Sequence, residues 1–501
     1  MKLYFRQGSL PWQPERYHYA AEQMMLTLFP GERPEYPGEQ PDIHAEDSCV
    51  IFTLSPRTET ALLSAHLGRQ GKRETGHWEL PLTALQDTPE RVYHVVQHAL
   101  KMAFYQAGTA LLGFEPPWGA LTGVRPVKLP TRCLLAGGTA EQARRELEEE
   151  YRVSPARARL ALRCAQASVA VGKTLEPRQV SVYVGIPFCP TRCAYCSFVS
   201  ADVGRTLKLV EPYLQGMRAE LEGAARAMAE AGLTVRSFYM GGGTPTTLTA
   251  GQMDQLLTWC RELLPLEGCT EYTVEAGRPD TITREKLQVL KDHGVERISI
   301  NPQTLEGEVL SAIGRRHTPG DILQAYALAR EVGFGCVNMD LIAGLPRDSY
   351  EGFARSLEGV LALSPENITV HTLALKKGSS LMEKGGALPT GEEVGRMLAL
   401  SQSRLEEKGY APYYLYRQKY MSGALENVGW ARPGTESVYN IVMMEELQSV
   451  ISIGAGGVTK LVGPGGRLVR LSNPKYPQDY LAGLDRVVSQ KEEIPPFYAL
   501  P

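Results

Sequence analysis

The stretch Gly185-Ile-Pro-Phe-Cys-Pro-Thr-Arg-Cys-Ala-Tyr-Cys-Ser-Phe198 puts three thiols, Cys189, Cys193 and Cys196, within eight residues in the spacing C-x3-C-x2-C. Three sulfurs so close in the chain can converge on one inorganic centre and leave one corner unfilled. A [4Fe-4S] cluster normally takes four thiolates; held by three, it keeps one iron free for a substrate or cofactor. Two other readings stand beside this one. A closed zinc site wants four ligands, usually as two separated pairs, and no Cys or His follows within sixty residues, Cys260 and Cys269 being the next cysteines. A disulfide with a spare thiol needs an oxidising compartment.

Outward from this stretch the chain has a regular rhythm. Apolar, β-branched runs at Val182–Ile186, Ser237–Met240, Tyr272–Ala276, Arg297–Asn301, Val337–Ile342 and Ile368–Leu373 read as strands. Helical patterns lie between them. One covers 211–231, with Leu214, Met217, Leu221 and Met228 on one stripe. Another starts at Thr249-Ala-Gly-Gln252, a capping-box pattern, and carries Met253, Leu256, Leu257 and Cys260. Gly294 and Gly333 stand where helices end. Six β–α units in series predict an α/β fold with a parallel sheet and right-handed crossovers. Such a sheet curls toward a TIM-like partial (β/α)6 barrel, whose chemistry sits at the strand C-terminal ends.

The flanks differ in texture. Residues 1–178 predict a small α+β domain, with strands at Lys2–Arg6, Cys49–Leu54 and Thr60–Leu67 and helices near 16–28 and 90–107. Within it, Leu121-Thr-Gly-Val-Arg-Pro-Val-Lys128 reads equally as a functional segment or as a loop that anchors two domains. Residues 179–385 form the barrel. Residues 386–501 predict an α+β extension that covers the substrate, with a helix near 391–408, the Tyr-rich strand Pro412-Tyr-Tyr-Leu-Tyr-Arg417 and the run Ser452-Ile-Gly-Ala-Gly-Gly-Val458. A formal net charge of −3 among 501 residues argues against a general nucleic-acid binder. No run approaches the length of a membrane span, the amino terminus has no apolar leader, and nine scattered cysteines read as reduced thiols, so a cytoplasmic protein is expected.

The strand ends carry the polar groups. Gly241-Gly-Gly-Thr-Pro245 follows the second strand, Glu275 ends the third, Gln303 follows the fourth, Asp340 lies on the fifth, and Arg315 sits in Ile313-Gly-Arg-Arg-His317. Polar groups at successive strand ends of one parallel barrel face a common ligand more readily than they serve separate surface roles. Carboxylate and amide oxygens accept from hydroxyls, and a guanidinium binds a carboxylate.

C-x3-C-x2-C with Tyr195 before the third cysteine resembles the signature of the radical S-adenosylmethionine (radical SAM) superfamily. That resemblance implies a [4Fe-4S] cluster on Cys189, Cys193 and Cys196, and S-adenosyl-L-methionine cleaved to a 5′-deoxyadenosyl radical. Tyr183-Val-Gly-Ile-Pro-Phe-Cys189, Gly241–Pro245, Tyr272-Thr-Val-Glu-Ala276, Gln303, Arg315, Asp340-Leu-Ile-Ala-Gly-Leu-Pro346 and Gly454-Ala-Gly-Gly-Val458 come in the order of the oxygen-independent coproporphyrinogen III oxidases. The long first region with Leu-Thr-Gly-Val-Arg-Pro is similar to their HemZ-type branch. By position the resemblance implies cofactor contacts at Tyr183, Tyr195, Gly242, Gly243, Thr244, Glu275, Gln303, Arg315, Asp340, Ala374 and Val458.

The resemblance implies an enzyme that oxidatively decarboxylates coproporphyrinogen III propionates to give protoporphyrinogen IX. Its partners would be a tetrapyrrole and a reducing electron donor such as flavodoxin or ferredoxin. Arg125, Lys128, Lys376, Lys377, Arg417, Lys419 and Arg432 are candidate cations for the substrate's carboxylates. Two departures stand out. The dehydrogenases carry a fourth cysteine where this chain has Phe198, and a His where it has Gly185. Phe198 is typical of haem-chaperone relatives, but their HNxxYW-type segment is here Tyr439-Asn-Ile-Val-Met-Met444. A haem carrier with His371 as axial ligand, and a radical enzyme with an unrelated substrate, are the alternatives.

Overall fold

The computed structural model describes the chain apart from residues 7–9, 11, 38–47, 197–200, 203–205, 376–378, 380, 382–387, 419–421 and 501, and the side chains of 201, 202 and 422. Phe198, Lys376, Lys377 and Lys419 therefore lie outside the described residues. The chain divides into two compact units, Met1–Leu162 and Arg163–Pro501. The division falls within the helix Pro155–Gly172, upstream of the boundary at 178 expected from the linker-like Glu176-Pro-Arg178.

The first unit is α+β. Its strands β1 (Lys2–Arg6), β2 (Ser48–Pro56), β3 (Thr60–Arg69) and β4 (Lys72–Pro81) form a sheet in that order, with β1 parallel to β2 and the other pairs antiparallel. The helices His18–Leu28 and Pro89–Leu112 share one core with the sheet, where Leu3, Phe52, Leu63, Met24, Leu100 and Phe104 meet. The charge-rich β4 has no apolar alternation to betray it. Its inward Gly76 lies so close to the long helix that a Cβ there would stand 2.0 Å from the Ala103 carbonyl oxygen. Of the Leu121–Lys128 segment, Lys128 begins a helix that runs to Leu135, and the residues before it are irregular.

The second unit is built on one sheet of 11 strands. Its centre is the run β5 (Gln179–Ile186), β6 (Thr234–Gly242), β7 (Glu271–Gly277), β8 (Arg297–Ile300), β9 (Cys336–Ala343) and β10 (Asn367–Thr372), all parallel and adjacent in chain order. This is the (β/α)6 arrangement expected from the rhythm. These strands read as near-continuous apolar runs because parallel sheets are covered on both faces. Thr249 caps its helix as the sequence indicates: its hydroxyl accepts from Gln252 N at 3.2 Å, and its own N–H reaches the Gln252 amide oxygen at 3.1 Å. Gly333 closes the helix Pro319–Val332 at φ 96°, a left-handed turn that glycine adopts without a Cβ clash.

Residues beyond 385 do not stand apart from this sheet. β11 (Ala411–Tyr416) and β12 (Asn427–Ala431) extend it antiparallel beyond β10, while β13 (Val450–Ile453) pairs parallel with β5 and leads to β14 (Val458–Val462) and β15 (Leu468–Ser472). The open edges at β5 and β10 are thus both paired by strands from one stretch of chain. A buried polar network ties this stretch to the helix Val210–Glu230. The Glu220 carboxylate accepts from Gly454 N at 2.7 Å, Asn473 Nδ2 at 2.7 Å and the Tyr480 hydroxyl at 2.6 Å, and pairs with Lys491 Nζ at 2.8 Å. Every oxygen of this buried charge is thereby satisfied, as a buried ion pair requires.

Candidate cofactor site

All three cysteines and all eleven residues matched to cofactor contacts line one cavity of about 550 Å³ at the C-terminal ends of the parallel strands. Ligand sites of small molecules typically enclose roughly 300–1,000 Å³. The cysteine loop leaves β5 after Ile186. It is fastened by Ala194 N–H to the Ile313 carbonyl at 3.0 Å and by Cys196 N–H to the Cys193 carbonyl at 3.1 Å. The three thiols are partly buried, and Cys189 Sγ lies 3.5 Å from the Thr244 hydroxyl. Among the described residues no three His, Cys, Asp or Glu side chains are grouped for a single metal ion. A four-iron cluster does not need such a group, since each thiolate sits on a different iron.

The glycine run lies against this loop. Gly243 N donates to the Ile186 carbonyl at 2.7 Å and Thr244 N to the Phe188 carbonyl at 2.8 Å, and a Cβ on Gly243 would stand 2.6 Å from the Phe188 oxygen. Gly242 has φ 110°, open to glycine and strained for other residues.

The remaining polar groups come from alternate positions of successive strands, which point to the same face. Ser299 and Asn301, Asn338 and Asp340, Thr369 and His371 are such pairs, and all line the cavity. Gln303 is held at φ 69° by two backbone bonds to β9, its N–H to the Asp340 carbonyl and its carbonyl to the Ile342 N–H, each 2.9 Å. A left-handed non-glycine residue costs free energy and persists only where its surroundings enforce it. Gln303 Oε1, Asn301 Oδ1, Ser299 Oγ and Arg315 Nε are buried without a hydrogen-bond partner. Buried polar groups are normally satisfied, so this set is shaped for a ligand that brings both donors and a carboxylate. The amino, hydroxyl and carboxylate groups of S-adenosyl-L-methionine fit it. Arg315 also donates from Nη1 to the Asn301 carbonyl and from Nη2 to the Tyr195 hydroxyl at 3.3 Å.

The two carboxylates are driven apart. Burial pushes Glu275 up to about 7; the Tyr239 hydroxyl bonded to it opposes this, and the Asp340 charge adds to it. Burial pushes Asp340 upward too, but the bond and charge of His371, with Asn338 and Thr369, outweigh burial and hold Asp340 below the usual carboxylate value. The Asn338 amide reaches Asp340 at 2.8 Å and His371 Nε2 lies 3.5 Å from it.

Part of the cavity lining is aromatic. Tyr239 and Tyr439 stack at 4.5 Å, Tyr183 lies parallel to both at 6.4 Å, and Tyr414 and Tyr416 lie parallel at 6.3 Å. Tyr439, Asn440, Met443 and Met444 come from one short helix, Val438–Glu445. Sequence reasoning missed Tyr239, Arg278, Ser299, Asn301 and Asn338 as site residues. The two-residue spacing of polar groups near strand ends was the available signal for the last three. Of the candidate cations, Arg417 is buried, where burial lowers it to about 10 against the opposing charge of Glu426, and Arg432 lies over the Tyr410 ring at 4.9 Å; neither lines the cavity. Arg125 and Lys128 belong to the first unit.

Residues 183–358 match the model of the radical SAM superfamily. The chain is 37% identical over 462 residues to the oxygen-independent coproporphyrinogen-III oxidase-like protein HemZ of Bacillus subtilis, covering 91% of each chain. It belongs to that family. The radical SAM enzymes of this family use a [4Fe-4S] cluster and S-adenosyl-L-methionine. The chain is also similar to the haem chaperone HemW of B. subtilis, 31% identical over 55% of this chain and 69% of that one. The structure of the radical SAM enzyme coproporphyrinogen III oxidase (HemN) from Escherichia coli superposes with a TM-score of 0.52 at 25% identity, covering 64% of this chain and 72% of that one. Among the described residues no helix is long and apolar enough to cross a membrane.

Proposed function

We propose that this radical SAM protein oxidatively decarboxylates propionate side chains of coproporphyrinogen III to vinyl groups, giving protoporphyrinogen IX, in the cytoplasm. The single observation that carries the reading is the cavity itself, which is lined both by three cysteine thiols and by parallel tyrosine rings. When bound, the cluster and S-adenosyl-L-methionine supply an electron and a radical able to remove a hydrogen atom. The substrate propionate gives up one hydrogen atom from its β-carbon, then CO₂ and one electron, and a one-electron acceptor takes that electron. A low-potential donor such as flavodoxin or ferredoxin supplies the starting electron.

The chain's own residues bind and orient. Arg315 holds the methionine carboxylate, with Tyr195 and the Asn301 carbonyl fixing its guanidinium. The Gly242–Thr244 backbone holds the amino group. Glu275 and Asp340 accept from the ribose hydroxyls, Gln303 Oε1 takes a further donor, and Tyr183, Ala374 and Val458 pack around the rest. Tyr239 and Tyr439 offer a flat face to a pyrrole ring and exclude water from the reacting carbon.

A second reading, haem carriage, draws on the resemblance to the haem chaperone and on the two methionines in the cavity wall. His371 is a poor axial ligand for it, because Nε2 faces Asp340 at 3.5 Å and Nδ1 faces the Tyr416 hydroxyl at 3.4 Å. The test is anaerobic incubation of the reconstituted protein with reductant, S-adenosyl-L-methionine and coproporphyrinogen III. Coupled 5′-deoxyadenosine and protoporphyrinogen IX support the oxidase. Stoichiometric haem uptake without turnover supports carriage. 5′-Deoxyadenosine without porphyrin conversion overturns both.

A further inference from the structure

Arg278 stands at the turn after β7. Gly277, at φ 63°, reverses the chain, and the Arg278 N–H closes on the Ala276 carbonyl at 2.8 Å. The side chain, only 4% exposed, runs back under the cysteine loop. Nη1 donates to the Thr191 carbonyl at 3.1 Å and to the Thr191 hydroxyl at 2.7 Å, midway between Cys189 and Cys193. Nε and Nη2 grip Asp280 at 2.9 and 2.7 Å, a two-pronged pair that fixes the plane of the guanidinium. His317 Nδ1 lies 3.7 Å from the same carboxylate, and the Thr191 hydroxyl reaches the Gly314 carbonyl at 3.4 Å, beside Arg315. Arg278 and the three cysteines line the same cavity.

We propose that Arg278 is a positioning residue for the cluster: it pins the loop between the first two cysteine ligands, and its charge, balanced by Asp280, sets the potential at which the cluster accepts its electron. The inference rests on the assignment of the cluster to Cys189, Cys193 and Cys196. A lysine cannot replace the guanidinium, because one ammonium cannot grip a carboxylate in two places and reach the loop as well. The potential of an iron–sulfur centre follows the charge and hydrogen bonding around it. Loss of the cation therefore makes the cluster harder to reduce, and loss of the neighbouring anion makes it easier.

The test uses the full chain, reconstituted anaerobically, with two readouts independent of turnover. These are the midpoint potential by dithionite titration followed by electron paramagnetic resonance, and the rate of iron loss to a chelator. Arg278→Met moves the reduction equilibrium about tenfold toward the oxidised form, 59 mV for one electron, and speeds iron loss. Asp280→Asn moves the potential the opposite way, and the double variant returns close to the unsubstituted value. Arg278→Lys keeps the potential but loses iron faster. Thr191→Val, which leaves both charges in place, also loses iron faster at unchanged potential and covers the case of a misfolded Arg278→Met. Shifts of one sign in both single charge variants, or no shift in either, overturn the electrostatic role; iron loss unchanged in Thr191→Val and Arg278→Lys overturns the positioning role. If the unsubstituted chain takes up no iron and sulfide, the cysteine assignment fails, and this inference with it.

Discussion

The two sides of the cavity are built in opposite ways. The side from Cys189 to Arg315 is made, apart from the rings of Tyr195 and Tyr239, of short polar groups and bare backbone at fixed places in the chain: three thiols in one loop, a glycine run against that loop, and an amide and a guanidinium after β8. The side from His371 to Val458 is made of large rings and thioethers on β10, β11, the helix Val438–Glu445 and the loop before β14, elements joined through long-range pairing. The first side is suited to cofactors whose atoms never change. The second is suited to shape and flatness, which several side chains can supply. On the proposed function, chemistry common to a superfamily sits in motifs, and substrate choice sits in packing.

The sharpest way to break this contrast is Cys193→Ala. It removes one thiol of the first side and is expected to abolish 5′-deoxyadenosine formation, with iron content falling after reconstitution; full activity in that variant would sink the cluster assignment. Lys491→Met attacks the support of the second side. It leaves Glu220 buried and unpaired, which costs about 3–5 kcal/mol, read as a lower denaturation midpoint, and Glu220→Gln in the same chain restores part of the loss.

Glu275 tests the boundary between the two sides. Its folded-state value of about 7 lies above the ordinary 4.5, so the ligand-free fold holds a proton that the unfolded chain releases. Its contribution to stability is full below about pH 4.5 and lost as pH rises through 7. A ligand that donates hydroxyls to Glu275 prefers the ionised form. Affinity for S-adenosyl-L-methionine should therefore tighten from pH 6 toward pH 8, by up to about tenfold per unit below the folded value. Glu275→Gln should flatten that slope in a titration by calorimetry; an unchanged slope assigns the proton elsewhere. The smallest effect is expected from Tyr439→Leu. Loss of one stacked pair, about 0.5–1.5 kcal/mol, should raise the substrate KM a few-fold and leave 5′-deoxyadenosine formation without substrate unchanged.

Much of the fold was legible. All six central strands lie where the apolar runs place them, because strands covered on both faces are rich in apolar residues. β4 was not, because Lys72–Pro81 is an exposed, charged edge whose only buried positions are Gly76, which has no side chain, and Leu80. Glu220 was hidden for the opposite reason: on a helix it counts as a solvated charge until Lys491, distant in sequence, is found beside it. Residues 386–501 looked like a separate region because sequence shows runs, not the edges that they pair with.

The sequence by itself determined the three thiols, the glycine run and the order of strands, because each depends on neighbours a few residues away or on a repeating pattern. Only the tertiary structure decided that Arg278 turns back under the cysteine loop, that Asn301, Gln303 and Arg315 are left with unpaired buried atoms, and that tyrosines from Tyr183 to Tyr439 stack into one wall. Those facts depend on which distant groups meet and on which polar atoms find no partner, and no local pattern encodes either.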